Sequence, residues 1–470
     1  MITKELANFI VSLKYENIPD FIIEKAKLCF LDFLGVSLRG SQEKSSLIAF
    51  EVFNSNLKDN SELKSTIIGR GKGNALNAGF LNGISAHCLD LDDGHRLAQL
   101  HPGCTVFPSA LALAEENDKT GKEFLESIIA GYEVAIVMGK AINPSHRNRG
   151  FHSTGTIGAF ASAAVSSKIL NLGVKETINA LGLAGTQAAG LLESDHAGTM
   201  GKHLHAGTAV QSGMMSALLS QKGFTGAESI MEGNEGFLKA LCGEKTFENS
   251  IKIANQINSE LGQFHIKNVY LKKYPVCRHL HSTIDSAVDI LNEIHTSDIS
   301  GIENRNIKRI IVQTYKTAAE HDNYCPETVE SIRQSLPISL AIVLNMGELT
   351  LENIEEFEND SEFKEEILKI ANKVEIHIDT ELNNLQPQKR PSRVIIEFEK
   401  DLKTNDSDKN IKLLEKTIFL PKGEPENPFS KEEISEKFYS INPDFNSVDP
   451  NLMDSISFLK IREFVSDFFK

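Results

Sequence analysis

The hydrophobic period of this chain changes near residue 265, and that change limits the class of fold open to it. Before it, apolar residues recur at i, i+3 and i+4 in Leu6 to Leu13, Phe21 to Leu38, Leu125 to Met138 and Ile178 to Leu191, the spacing of amphipathic helices. After it come short alternating runs, RIIVQTY at 309–315, VEIHID at 374–379 and RVIIEFE at 393–399, which read as strands. Helical candidates, Ser282 to Ile294, Ser331 to Leu344 and Phe363 to Ala371, lie before and between them. The end of the chain returns to helix, through a capping-box-like SKEE at Ser430 and an amphipathic run from Leu452 to Phe469. The expectation is a mainly α fold: a large all-helical domain, residues 1–265 and 401–470, with a smaller α+β domain, 266–400, inserted in it.

Local signals refine this outline. Pro19 suits the start of a helix that stops near Gly40, and Gly173 separates two helical runs. His152 to Leu172 and Ala206 to Ser216 are rich in small residues, so two helices are expected to cross closely in the interior. Residues 65–79, STIIGRGKGNALNAG, lack the GxGxxG spacing and the repeated βαβ context of a nucleotide site and read as a turn entering a helix. DLKTNDSDK at Asp401 to Lys409 reads as a polar surface loop.

A formal net charge of −15 argues against a nucleic-acid partner, and no segment approaches about 18 uninterrupted apolar residues, so no membrane span is expected. Six scattered cysteines form no CxxC pair, and the N-terminus lacks the pattern of a signal peptide. Both point to free thiols in a reducing cytoplasm.

The chemistry concentrates in AHCLDLDDGHRLAQLHPG, residues 86–103, which holds His87, Asp90, Asp92, Asp93, His95 and His101. Such a run can hold a metal, cap a helix or transfer protons. It does not match the twelve-residue calcium loop, and no metal is assigned to it. His101, before Pro102-Gly103, is displayed from a loop. Three basic clusters follow in this acidic chain: FHSTGTIG with His152, GKHLHAG with Lys202, His203 and His205, and KKYPVCRHLHS with Lys272, Cys277 and Arg278. Lysine and arginine there can bind carboxylates, and histidines can move protons near neutral pH. For Cys277 a structural thiol is the favoured reading over a nucleophile.

Taken in order, these clusters, with LDFLGVSLRG at 31–40, GFTGAESIMEGNEGF at 223–237 and PKGEPENPFS at 421–430, resemble the MmgE/PrpD family of 2-methylcitrate dehydratases, cis-aconitate decarboxylases and an iminodisuccinate epimerase. The resemblance implies a helical domain built from both ends of the chain, a smaller lid domain with the active site between them, a homodimer, and neither metal nor organic cofactor. It carries pocket roles to Asp90, His101, His152, Lys202 and Lys272, with His203 and His205 close by and Tyr315 as a candidate pocket tyrosine. Gly94 and Cys277 stand where the decarboxylase-like pattern has Thr and His, and KHLHAGTA departs from the dehydratase-like pattern. The leading expectation is a lyase, a hydro-lyase on a citrate-like polycarboxylate. His101 would be the principal acid or base, His152 its helper, Asp90 the carboxylate that orients a histidine, and Lys202 and Lys272, with Arg278, the carboxylate-binding groups. An epimerase of an iminodisuccinate-like acid, a cis-aconitate decarboxylase-like enzyme and a catalytically silent carboxylate-binding protein are the alternatives.

Overall fold

Helices dominate the computed structural model, which describes residues 1–54, 63–296, 307–398, 413–445, 449 and 451–469. The fold is mainly α, with its one four-stranded sheet among the described residues in the C-terminal half. The polar run at Asp401 to Lys409 lies outside the described residues. Two units are distinguished: Met1–Ser194, Met200–Leu271 and Phe429–Lys470 form the first, and Asp195–Thr199 with Lys272–Pro428 the second.

The first unit draws its core from both ends of the chain. The helix Asp20–Gly40 begins directly after Pro19, whose fixed φ suits a helix start. Its Phe30 lies 4.8 Å, ring to ring, from Phe124 and 5.9 Å from Phe464, so an aromatic cluster joins this helix to the C-terminal one, Ile461–Phe468. Lys437 reaches back to Asp32 at 2.6 Å, and Asn442 donates to the Gly35 carbonyl at 3.0 Å. The two small-residue stretches do cross, as the helices Ser153–Ile169 and Gly201–Gln221. A Cβ on Gly213 would stand 2.5 Å from backbone atoms of Ala159 and Ala163, which leaves room for hydrogen alone.

The expected glycine turn is a hairpin, Ser65–Ile67 against Gly71–Gly73, and Asn74 then caps the helix Ala75–His87 by accepting from the Asn77 N–H. The Ile178 to Leu191 expectation ran too far, since the helix there spans Val174–Gly185.

In the second unit the strand order is Val374–Ile378, Ile307–Thr314, Ser392–Phe398, Leu413–Ile418, the first pair parallel and the others antiparallel. Along Ser392–Phe398 every second residue is buried, and Val394 and Ile396 face the same core as Ile284, Ala287 and Ile290 of the helix His281–Thr296. Leu413–Ile418 was not expected as a strand; its pairing with Ser392–Phe398 carries the unit on to Pro428. The helix expected over Ser331 to Leu344 is two, Val329–Ile332 and Leu336–Met346. Ser335 caps the second through the Ile338 N–H, and Pro337 in its first turn lacks the N–H a continuous helix needs. Among the described residues, no helix is long and apolar enough to cross a membrane.

Candidate active site

The site in the first unit is assembled by a chain reversal. The helix Ala75–His87 ends on His87, and three residues later Asp90 adopts φ +51°, a left-handed conformation that aspartate tolerates better than most residues. Gly94–His95 then pairs with Val269–Tyr270, and the chain returns through His101 into the helix Gly103–Glu116. The reversal sets His101 beside His87, their ring centroids 5.1 Å apart.

Two further helices supply the rest. His152 is the N-cap residue of Ser153–Ile169, and Lys202 and His205 lie in the first turns of Gly201–Gln221. His152 stacks on His87 at 5.7 Å, and its Nδ1 lies 3.0 Å from Nδ1 of His205. The site residues therefore cluster at the N-terminal ends of three long helices, where the helix dipole favours negative charge.

Hydrogen bonding fixes several ring atoms. Nδ1 of His101 lies 2.6 Å from the Asp93 carbonyl, which can only accept, so Nδ1 carries hydrogen and Nε2 is the atom left to exchange a proton. The Asp92 carboxylate holds His87 Nδ1 at 2.7 Å and stands 3.5 Å from His101 Nδ1, a counter-charge for protonation of either ring. His152 is in the opposite setting: burial, with His87, Lys202, His205 and His101 around it, drives its pKa well below the ordinary value, so it is neutral at pH 7. Because the 3.0 Å contact with His205 needs one donor and one acceptor, the two rings keep it only while at least one Nδ1 is unprotonated.

Lys202 Nζ is 3.0 Å from Asp90 Oδ1, both largely buried, and this bond uses one of three ammonium donors. The Asp92 carboxylate is hydrogen-bonded to a histidine, His87. The sequence pattern gave neither Asp92 nor His87 a role; the available signal was that a helix ends between them, which lets residues five apart face one another. His203 points to Ser45 Oγ at 3.0 Å.

Asp93 is a structural anchor, accepting from Tyr132 Oη at 2.5 Å and from the Gly103 N–H at 2.9 Å. A Cβ at Gly103 would lie 2.7 Å from Asp93 Oδ1, so glycine is required for that approach. Burial pushes the Asp93 carboxyl up to about 7, against the bonds from Tyr132 and Gly103 and with help from Asp92 and Asp32. The folded carboxyl thus holds its proton more tightly than an unfolded one near 3.9. The resulting stabilisation is full below about pH 4 and is lost as pH rises through about 7. Asp93→Asn, which cannot ionise, is expected to gain Tm relative to the unsubstituted protein between about pH 5 and about pH 8. A Tm difference constant over that range contradicts the assignment.

Among the described residues, His87, Asp92 and Cys104 offer ligand-type atoms within 4.8 Å of one another and are the group that could hold a metal. Burial, with the charges of Asp92 and Asp93, pushes the Cys104 thiol well up, so it stays protonated and donates to the His101 carbonyl at 3.2 Å.

The remaining expected residues belong to the second unit. Lys272 is buried to 1% exposure. Arg278 is bound by Glu424 at 3.2 Å, the Lys422 carbonyl at 3.0 Å and His281 Nδ1 at 3.1 Å, which ties down the Pro421–Pro428 loop. Tyr315 is fully buried, its phenol pushed up by burial, and its Oη is hydrogen-bonded with His279 Nδ1 at 2.6 Å.

Gly94 is packed against Tyr270, where a Cβ would meet Oη at 2.3 Å and Cζ at 2.5 Å. Gly94→Thr is expected to cost about 1–3 kcal/mol through overpacking, measured as a lower urea midpoint; an unchanged midpoint contradicts the packing argument.

The MmgE/PrpD N-terminal domain model matches residues 4–250, and the MmgE/PrpD C-terminal domain model matches 274–457. A cis-aconitate decarboxylase of Aspergillus terreus is 27% identical, over 94% of this chain and 89% of its own length. The cis-aconitate decarboxylase of Homo sapiens is 25% identical, over 93% and 87%, and a mitochondrial 2-methylcitrate dehydratase of Yarrowia lipolytica is 26% identical, over 65% and 60%. With both domain models matched in order along the chain, this protein belongs to the MmgE/PrpD family.

Proposed function

We propose that this protein is a lyase acting on a small polycarboxylate, a hydro-lyase on a citrate-like acid, working through its own acid and base side chains. The observation that carries the reading is the gathering of His101, His152 and Lys202 at three helix N-termini. In such a reaction a proton leaves the carbon next to a carboxylate, negative charge develops on that carboxylate, and hydroxide departs as water once protonated. Helix N-termini and the Lys202 ammonium favour the developing charge, and a neutral His152 beside an Asp92-flanked His101 provides a base and an acid in one cluster. The residues used are those of the first unit alone.

Decarboxylation of an unsaturated tricarboxylate is the second reading, favoured by the names of the Aspergillus terreus and human relatives. Against it, the threonine of the decarboxylase-like pattern has no room at Gly94. A homodimer and a cytoplasmic setting belong to the same proposal through the family; light scattering that reports a monomer counts against the first.

The test is to incubate purified protein with a panel of di- and tricarboxylates, with and without chelator, and follow product mass. Loss of water supports the hydro-lyase, loss of carbon dioxide the second reading, and solvent-proton exchange without a new double bond an epimerase. Saturable binding without turnover leaves a carboxylate-binding protein and contradicts the proposal.

A further inference from the structure

Six cysteines are free of disulfides, and their surroundings differ. Cys29, Cys88, Cys104 and Cys242 are buried, and burial pushes the thiols of Cys29 and Cys242 up to about 12. Cys325 is exposed. Cys277 differs: it is half-buried, and its Sγ lies 3.6 Å from Nε2 of His321.

The pair is built rather than incidental. Nδ1 of His321 lies 2.9 Å from the Gln334 carbonyl, and a carbonyl only accepts, so Nδ1 carries hydrogen and Nε2 faces the sulfur. Nε2 then either accepts the S–H or, once protonated, donates to the thiolate. Backbone bonds fix both partners: Cys277 N–H donates to the Arg333 carbonyl at 2.9 Å, and the His321 carbonyl accepts from Leu336 N–H at 2.9 Å. His279 stacks on His321 at 5.9 Å, with its Nδ1 held by the Tyr315 hydroxyl. Asp195 adds negative charge near His321, while the Arg278 guanidinium is bound to Glu424.

We propose that Cys277 and His321 form a thiolate–imidazolium pair and that Cys277 is a modification site for soft carbon electrophiles, such as alkyl halides and α,β-unsaturated carbonyl compounds. Burial opposes a charge on His321, but the Cys277 thiolate, its hydrogen bond, the Gln334 carbonyl and Asp195 together raise the ring to about 9. With an alkyl halide, sulfur bonds to carbon, the carbon–halogen bond breaks, halide leaves, and the thiol proton stays on His321. With an unsaturated carbonyl compound, sulfur bonds to the β-carbon, and the displaced electron pair at the α-carbon takes the imidazolium proton. The pair lies within the second unit and is independent of the acid–base reading of the first.

The test uses the full chain and iodoacetamide, with labelling of each cysteine followed by mass spectrometry across pH and exposed Cys325 as the internal reference. At about pH 6, where an ordinary thiol is almost wholly protonated, Cys277 is expected to react more than about tenfold faster than Cys325. His321→Gln is expected to remove that advantage while Cys29 and Cys242 stay unlabelled, which reports an intact fold. Should that variant unfold, ultraviolet thiolate absorbance at about pH 6, present in the unsubstituted protein and absent from Cys277→Ser, decides the matter. Cys277 reacting no faster than Cys325, or an advantage that survives in folded His321→Gln, or no thiolate signal, overturns the proposal.

Discussion

Replacing His101 with alanine is expected to lower kcat on the true substrate by about 10²–10⁴ while leaving KM within a few-fold of its starting value. The size follows from the proposed role: Nδ1 is committed to the Asp93 carbonyl, so proton transfer by this ring would run through Nε2. The near-constant KM follows because carboxylate binding is assigned to Lys202 and to helix N–H groups, which the substitution leaves in place. Asp92→Asn separates proton transfer from packing. It keeps the shape beside His87 and His101 but removes the counter-charge, so the acid limb of the kcat profile should move while the far-ultraviolet circular dichroism does not. Near-normal turnover by His101→Ala, measured by product mass, contradicts the assignment.

The largest stability effect is expected at Glu424. This carboxylate is fully buried, 3.2 Å from Arg278 Nε and 3.5 Å from Arg390 Nη1, and both arginines are themselves nearly inaccessible. Removing one partner of a buried ion pair leaves uncompensated charge, at a cost of about 3–5 kcal/mol, whereas an exposed pair such as Lys308 with Glu397 is screened by solvent and contributes little. Glu424→Ala is therefore expected to lower amide-exchange protection across Ser392–Phe398 by about 10²–10⁴, since each factor of ten is about 1.4 kcal/mol. Glu424→Gln, which keeps the shape and acceptor oxygen, should fall between. Protection unchanged in Glu424→Ala means that the pair does not hold the unit together.

Much of the architecture was legible because its signals are periodic or steric. Apolar spacing marked the helix beginning at Asp20, alternation marked Ser392–Phe398, and the small residues at Gly158 and Gly213 announced a close helix crossing. What failed was conditional on partners. Leu413–Ile418 shows little alternation in burial and is a strand because Ser392–Phe398 offers it an edge. At the site, the pairings of side chains were not legible. Asp90, Asp92 and Asp93 are neighbours in sequence, yet the left-handed turn at Asp90 sends one to Lys202, one to His87 and one to Tyr132. A backbone reversal of that kind has no periodic signature, so the division of labour among three carboxylates appeared only in three dimensions.

The central claim is that the histidines and lysine at the three helix N-termini carry out acid–base chemistry on a polycarboxylate. Its most direct test is a single-turnover experiment with protein in excess over each acid of the panel, quenched over time and analysed by product mass. The unsubstituted protein is compared with a His101→Ala/Lys202→Ala double variant whose fold is checked by circular dichroism. The account predicts that at least one citrate-like acid is converted by the unsubstituted protein and that the folded double variant converts none of it on the same time scale. Conversion at comparable rates by both proteins, or no conversion of any acid by the unsubstituted protein, contradicts it.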